Sequence, residues 1–185
     1  MQSEKSIPIT SYNRDELIAD RYYRILSFSH LLKEQEKVQL KQLGIHILEY
    51  LDQFNYLASI QPAHLSKDLG FSALQSCYRL EAKQKLSTQL YYGEPCITQN
   101  GKFQLVIKYF SDISETSIHQ LLASSGLKSD RIYPYNQVIY LSIPENQISS
   151  LASLPWLVFI DCESAPGEPE AVSYTHLTLP TNREV

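Results

Sequence analysis

The chain has 185 residues, is 43% hydrophobic and 19% charged, and carries a formal net charge of −4. This is the composition of an ordinary soluble globular protein with one domain or two small ones. It excludes the basic footprint expected of a nucleic-acid or membrane-surface binder, and no apolar run is long enough to form a transmembrane helix.

The chain opens with Met1–Lys5, which lacks the apolar segment of a signal peptide. Either the protein is cytosolic or Met1 lies downstream of a lost signal. Residues 1–19 read as an N-terminal extension. Tyr22–Phe28 is apolar and aromatic, a strand. Glu34–Leu43 is rich in helix formers, and Gly44 stands where a C-terminal cap belongs. Ile45–Tyr50 and Asn55–Ile60 read as strands about a turn near Asp52 and Gln53. Pro62 opens a short helix through Leu69, and Leu74–Leu80 closes the segment as a strand. Residues 81–101 are polar, contain Gly93 and Pro95, and read as a linker with one short ordered stretch.

The pattern then recurs. Phe103–Phe110 is a strand, Ser114 caps a helix that ends at Gly126, and Leu127–Tyr133 and Gln137–Ile143 are strands on either side of Pro134–Asn136. Pro144 starts a helix that Pro155 stops, and Trp156–Asp161 is the last strand. At an offset of 82 Phe28 meets Phe110, Leu40 meets Leu122, Gly44 meets Gly126 and Pro62 meets Pro144. This internal repeat predicts an α+β protein of two tandem βαββαβ ferredoxin-like (split βαβ) domains, residues 20–80 and 102–163, each an antiparallel sheet with helices on one face. Thirteen Tyr against a single Trp suit half-buried strands.

Residues 164–171 have the composition of a Pro-rich linker. Val172–Thr181 spells what a common transposase-type sequencing adapter encodes in one frame, and one index of that adapter supplies Asn182–Val185 and a stop. Residues 172–185 are therefore expected to be adapter-derived, and are excluded from fold reasoning.

Catalytic and cofactor motifs are absent: there is no zinc-peptidase helix, nucleophile elbow, phosphate loop or dinucleotide fingerprint in the sequence. Neither a metal nor a cofactor is expected. Cys77, Cys96 and Cys162 are odd in number and widely spaced, and read as isolated thiols, Cys77 in a strand. His30, His46, His64 and His119 have no Cys or acidic residue spaced to join them in a site, so they read as solvated or locally hydrogen-bonded imidazoles. Tyr22, Tyr23, Tyr133 and Tyr135 could stack on bases, but they lack a basic groove and are expected to pack between sheet and helices.

Asp20–Phe28, then Gln42–Tyr50 with its Leu48-Glu49-Tyr50, then Asn55–Ile60 resemble the N-terminal region of secreted bacterial subtilisin-like (S8 family) serine peptidases. Pro144–Gln147 and Leu151–Trp156 are similar to the segment ahead of their catalytic domain, and Ala165–Glu170 to the linker into it. The resemblance implies an inhibitor-I9-like propeptide region that acts as a folding template and temporary inhibitor, with no catalytic residue of its own. Its partner would be its own peptidase catalytic domain, and the parent protein would be secreted. By the same analogy Asp161, Cys162, Glu163, Ser164 and Ala165 would form the tail that lies in the substrate cleft. The alternative is a non-catalytic protein- or ligand-binding module of two ferredoxin-like domains.

Overall fold

A computed structural model describes residues 13–64, 71 and 73–164. The 172–185 segment, and everything from Ala165 onward, lies outside the described residues. The chain is α+β and divides into two compact units, Met1–Leu80 and Glu81–Val185, each built on an antiparallel sheet.

In the first unit, β1 (Tyr22–Phe28), β2 (Ile45–Tyr50), β3 (Asn55–Ile60) and β4 (Leu74–Tyr78) form a sheet in the order β2-β3-β1-β4. Helix α1 (Glu34–Gln42) crosses from β1 to β2. Its N-terminus is capped by Glu36, whose Oε2 accepts the Lys33 backbone N–H at 2.7 Å. At its C-terminus Gly44 adopts φ 75°, the left-handed geometry that residues with a Cβ resist. Leu40 of α1 is fully buried in a cluster with Leu26, Phe28, Tyr56, Ala58 and Ile60. The expected helix over Pro62–Leu69 begins as a 3-10 turn at Pro62–His64, and its remainder lies outside the described residues.

Part of the N-terminal extension is integral to this unit. Ile18 and Arg21 exchange both backbone hydrogen bonds at 2.9 Å, around Ala19 (φ 47°) and Asp20 (φ 60°). Glu16, in the 3-10 turn Arg14–Glu16, bonds Arg24 at 2.5 Å and Arg79 at 2.7 Å. Arg24 is 4% exposed.

The second unit contains α2 (Thr88–Tyr91), β5 (Thr98–Gln99), β6 (Lys102–Tyr109), α3 (Glu115–Ser124), β7 (Ser129–Tyr133), β8 (Val138–Ile143), α4 (Ile148–Ala152) and β9 (Leu157–Cys162). Its main strands lie in the order β7-β8-β6-β9. The Ser114 hydroxyl accepts the Ser117 N–H at 3.2 Å and caps α3, as expected. At the other end Gly126 (φ 66°) lets Gly126 N and Leu127 N reach the carbonyls of Ala123 and Leu122, closing the helix with a Schellman motif. Leu105, Ile107, Ile118, Leu122, Ile139, Leu141 and Ile160 are all buried.

The repeat extends to irregularities. The offset of 82 carries α1 and each of β1–β4 onto α3 and β6–β9 within two residues. Each unit has a register break in its edge hairpin, between Ile47 and Glu49 in β2 and between Ser129 and Arg131 in β7. Leu48 and Asp130, the residues passed over, are themselves 82 apart.

Residues 81–101 differ from the expected linker. The Glu81 N–H donates to Gln84 Oε1 at 2.8 Å and opens a 3-10 turn, Ala82–Lys85. Leu86 then makes a parallel bridge with Ile160, and the Ser87 N–H bonds the Ile160 carbonyl at 2.9 Å. Asn100 (φ 53°) and Gly101 (φ 72°) form a tight turn that pairs β5 with β6. The segment closes the free edge of β9 and extends that of β6. The cysteine expectation is corrected as well: Cys96 and Cys162 are joined in a disulfide, with Cα atoms 5.3 Å apart, and Cys77 stays outside it as a thiol. Residues 66 apart in sequence meet because β5 and β9 share one edge of β6, a proximity that spacing alone does not reveal.

Candidate functional site

The half-buried face of the second sheet and the end of β9 form a defined surface of the second unit. Residues opposed across an antiparallel ladder share a face, and the register groups Gln104 with Ser142, Val106 with Tyr140 and Asp161, Lys108 with Phe159, and Arg131 with Tyr140. These residues are half-buried or exposed, whereas Leu105, Ile107 and Ile160 on the other face are fully buried. The first sheet offers no comparable surface, since every residue of β3 is buried.

The Arg131 guanidinium lies 4.1 Å from the Tyr140 ring centroid, within the range of a cation–π contact. It continues to the Glu163 carboxylate, to which it is ion-paired. That hydrogen bond holds the proton on Arg131 more firmly than usual. Tyr133 meets the Tyr140 ring edge-on at 5.6 Å. Beside them the Ser142 hydroxyl donates within reach of Gln104 Oε1 (2.8 Å) and Asp130 Oδ2 (2.7 Å).

Of the five tail residues, the structure brings four together at the end of β9. Asp161 and Cys162 belong to the strand itself, opposite Val106 and Leu105. Glu163 continues the ladder through its N–H to the Gln104 carbonyl at 2.9 Å. Ser164 is exposed, and Ala165 lies outside the described residues. An extended tail can therefore start only after Glu163.

The histidines differ in one respect from expectation: His30 and His119 have acidic partners. His30 Nε2 lies 2.9 Å from Glu36 Oε1, and His119 Nε2 lies 3.9 Å from Glu115 across one helical turn. The Lys33 N–H, then His30, hold the Glu36 carboxyl below its ordinary pKa, so His30 belongs to a helix cap. No group of three or more His, Cys, Asp or Glu residues could hold a metal ion among the described residues. His46, with Lys37, Lys41 and Tyr50, lines an open groove of about 530 Å³ between α1 and β2. Tyr22 and Tyr23 are buried as expected, but Tyr133 and Tyr135 are exposed. No helix among the described residues is long and apolar enough to cross a membrane.

Lys85 is a strongly perturbed cation. It is 3% exposed, donates to the Leu154 carbonyl at 2.6 Å, and burial lowers its pKa to about 8, against a small opposing pull from Glu81. The lysine ties the 81–101 segment to the end of α4, and its role is structural. An unfolded lysine holds its proton to about 10.4, so above pH 8 the unfolded chain binds more protons than the folded one and stability rises with pH. Between pH 7.5 and 9.5 the rise is expected to be about 2 kcal/mol. Lys85→Met should abolish it in urea titrations at the two pH values. An equal rise in both proteins would refute the assignment.

Residues 81–101 carry two local signals of order in their sequence. Asn100-Gly101 is a strong two-residue hairpin signature, and Glu81 with Gln84 has capping-box spacing. Nothing comparable marks Cys96 and Cys162 as partners. A family described as a domain of unknown function, DUF8729, matches residues 2–81. The match covers a little under half of the chain and ends within one residue of the first unit's boundary at Leu80. No curated protein matches the chain.

Proposed function

We propose that this chain is the N-terminal propeptide-like region of a secreted subtilisin-like serine peptidase, a folding template and temporary inhibitor that carries no catalytic residue itself. The observation that carries the reading is the strand order β2-β3-β1-β4 and its recurrence as β7-β8-β6-β9. In a split βαβ domain the first and third strands are central and the second and fourth are lateral. Both units have that arrangement, which favours the ferredoxin-like assignment and, through it, the peptidase resemblance. The disulfide supports an oxidising compartment, and so a secreted parent. The half-buried aromatic face of the second sheet favours that unit as the one that covers the catalytic domain, with the chain after Glu163 directed toward the cleft.

The test is to sequence the source locus across the codon for Ala171. An open frame that continues into segments bearing a catalytic Asp, His and Ser is expected; a stop codon close to Ala171 would overturn the proposal. Given such a frame, the chain should inhibit the catalytic domain it encodes. Val106→Arg should weaken that inhibition at least about tenfold without changing the fold, because it places a charge in the centre of the docking face. Equal inhibition by the variant would remove this face from the interface. A non-catalytic protein- or ligand-binding module of two such domains is the second reading.

A further inference from the structure

One edge of β6 is covered by two chain segments set end to end. β9 pairs with it from Tyr109 to Leu105, and β5 from Phe103 to Lys102. The junction is at Gln104, whose carbonyl accepts the Glu163 N–H and whose own N–H donates to the Ile97 carbonyl, both at 2.9 Å. The Cys96–Cys162 disulfide joins the two segments at this junction. Among the described residues the other ties are few, one being the bond from Gln89 Nε2 to the Pro95 carbonyl at 2.9 Å. β5 has only two residues, both exposed, and past Cys162 the chain is fastened by the Glu163 backbone bond and by the half-exposed Arg131. The core of the unit, with Leu105, Ile107, Ile139, Leu141 and Trp156, forms without the sulfurs.

We propose that this disulfide is a redox latch on the carboxyl end of β9: oxidised, it closes the junction and holds Cys162–Ser164 against β6; reduced, it lets that end and the Cys96–Gln99 segment open while the rest of the unit stays folded. Cys96 is 6% exposed and Cys162 is only half-buried, so a dithiol reductant attacks the Cys162 sulfur. Its first thiolate forms a mixed disulfide there and displaces the Cys96 thiolate, which takes up a proton. Its second thiolate then releases Cys162 and leaves the reductant as a disulfide. Segments with few buried contacts and exposed backbone hydrogen bonds open first when a constraint is removed. The inference does not depend on the peptidase reading, since it concerns only the order of this edge.

The experiment uses the full chain, oxidised or treated with dithiothreitol, with alkylation and mass measurement to verify that two thiols have been gained. Amide hydrogen exchange is followed by peptide, and cleavage after Glu163 by a glutamate-specific endopeptidase. Reduction should raise exchange in residues 96–99 and 162–164, leave Leu105–Tyr109 and Val138–Ile143 protected, and speed the cleavage at least about tenfold. Unchanged exchange and cleavage would show that the latch does nothing. Exchange raised by the same factor throughout residues 81–163, with no additional opening at 96–99 and 162–164, would replace the latch with a global staple. Cys96→Ser with Cys162→Ser should reproduce the reduced pattern; if that variant does not fold, reduction of the native chain still decides.

Discussion

Replacing Glu16 with Ala is expected to destabilise the first unit by about 3 kcal/mol, the cost of removing one partner from a largely buried ion pair. Arg24 is 5% exposed in its side chain and Glu16 14%, so the guanidinium would lose this carboxylate where little water can take its place. The second partner, Arg79, is 57% exposed, and Arg79→Ala should cost under about 1 kcal/mol. Glu16→Ala combined with Arg24→Met should recover much of the loss, because the penalty is that of a buried charge. The pH dependence has a definite sign. Burial raises the Glu16 pKa, but Arg79 and Arg24 reverse this and leave it below the ordinary value of 4.5. A lowered carboxylate pKa stabilises above the unfolded value, and the contribution is lost as pH falls through the folded one. Wild type should thus lose stability below about pH 4.5, and Glu16→Gln should lose less. Exchange of the β1 and β3 amides gives the readout; equal effects from Arg79→Ala and Glu16→Ala would refute the account.

The second large effect is expected from Cys96→Ser with Cys162→Ser. The cysteines are 66 residues apart, and freeing a loop of that length in the unfolded chain costs the folded state about 4 kcal/mol. A unit of this size has a total stability of roughly 5–10 kcal/mol, so the variant should remain folded with a much lower urea midpoint. Trp156 is the sole tryptophan and is 1% exposed. Its fluorescence therefore reports the second unit alone. A midpoint unchanged from the oxidised protein would mean that the reduced chain is already restricted.

Patterns with a local cause were legible in the sequence. The boundaries of β2 and β3 are those expected, because runs rich in Ile, Leu and Tyr are bounded by residues that turn. The α3 termini at Ser114 and Gly126 follow from capping chemistry. Features that depend on distant partners were not legible. Glu16 finds Arg79 only once β1 and β4 are paired, and Cys96 finds Cys162 only once β5 and β9 share β6. The Ala19-Asp20 turn was equally silent, whereas the turn expected near Asp52 and Gln53 is present and is built on Gln53-Phe54; both take positive φ without a glycine. Of the five candidate tail residues, Asp161 and Cys162 belong to β9, because the ladder with β6 runs on to Cys162.

The register breaks at Leu48 and Asp130 bear on how the protein behaves when concentrated. Both lie in strands at the margin of a sheet, where an unbroken row of backbone donors and acceptors would invite another molecule to add on. A bulge twists that row out of line and leaves one residue unmatched. With both margins blunted in this way, neither β2 nor β7 offers a template for fibrous self-association.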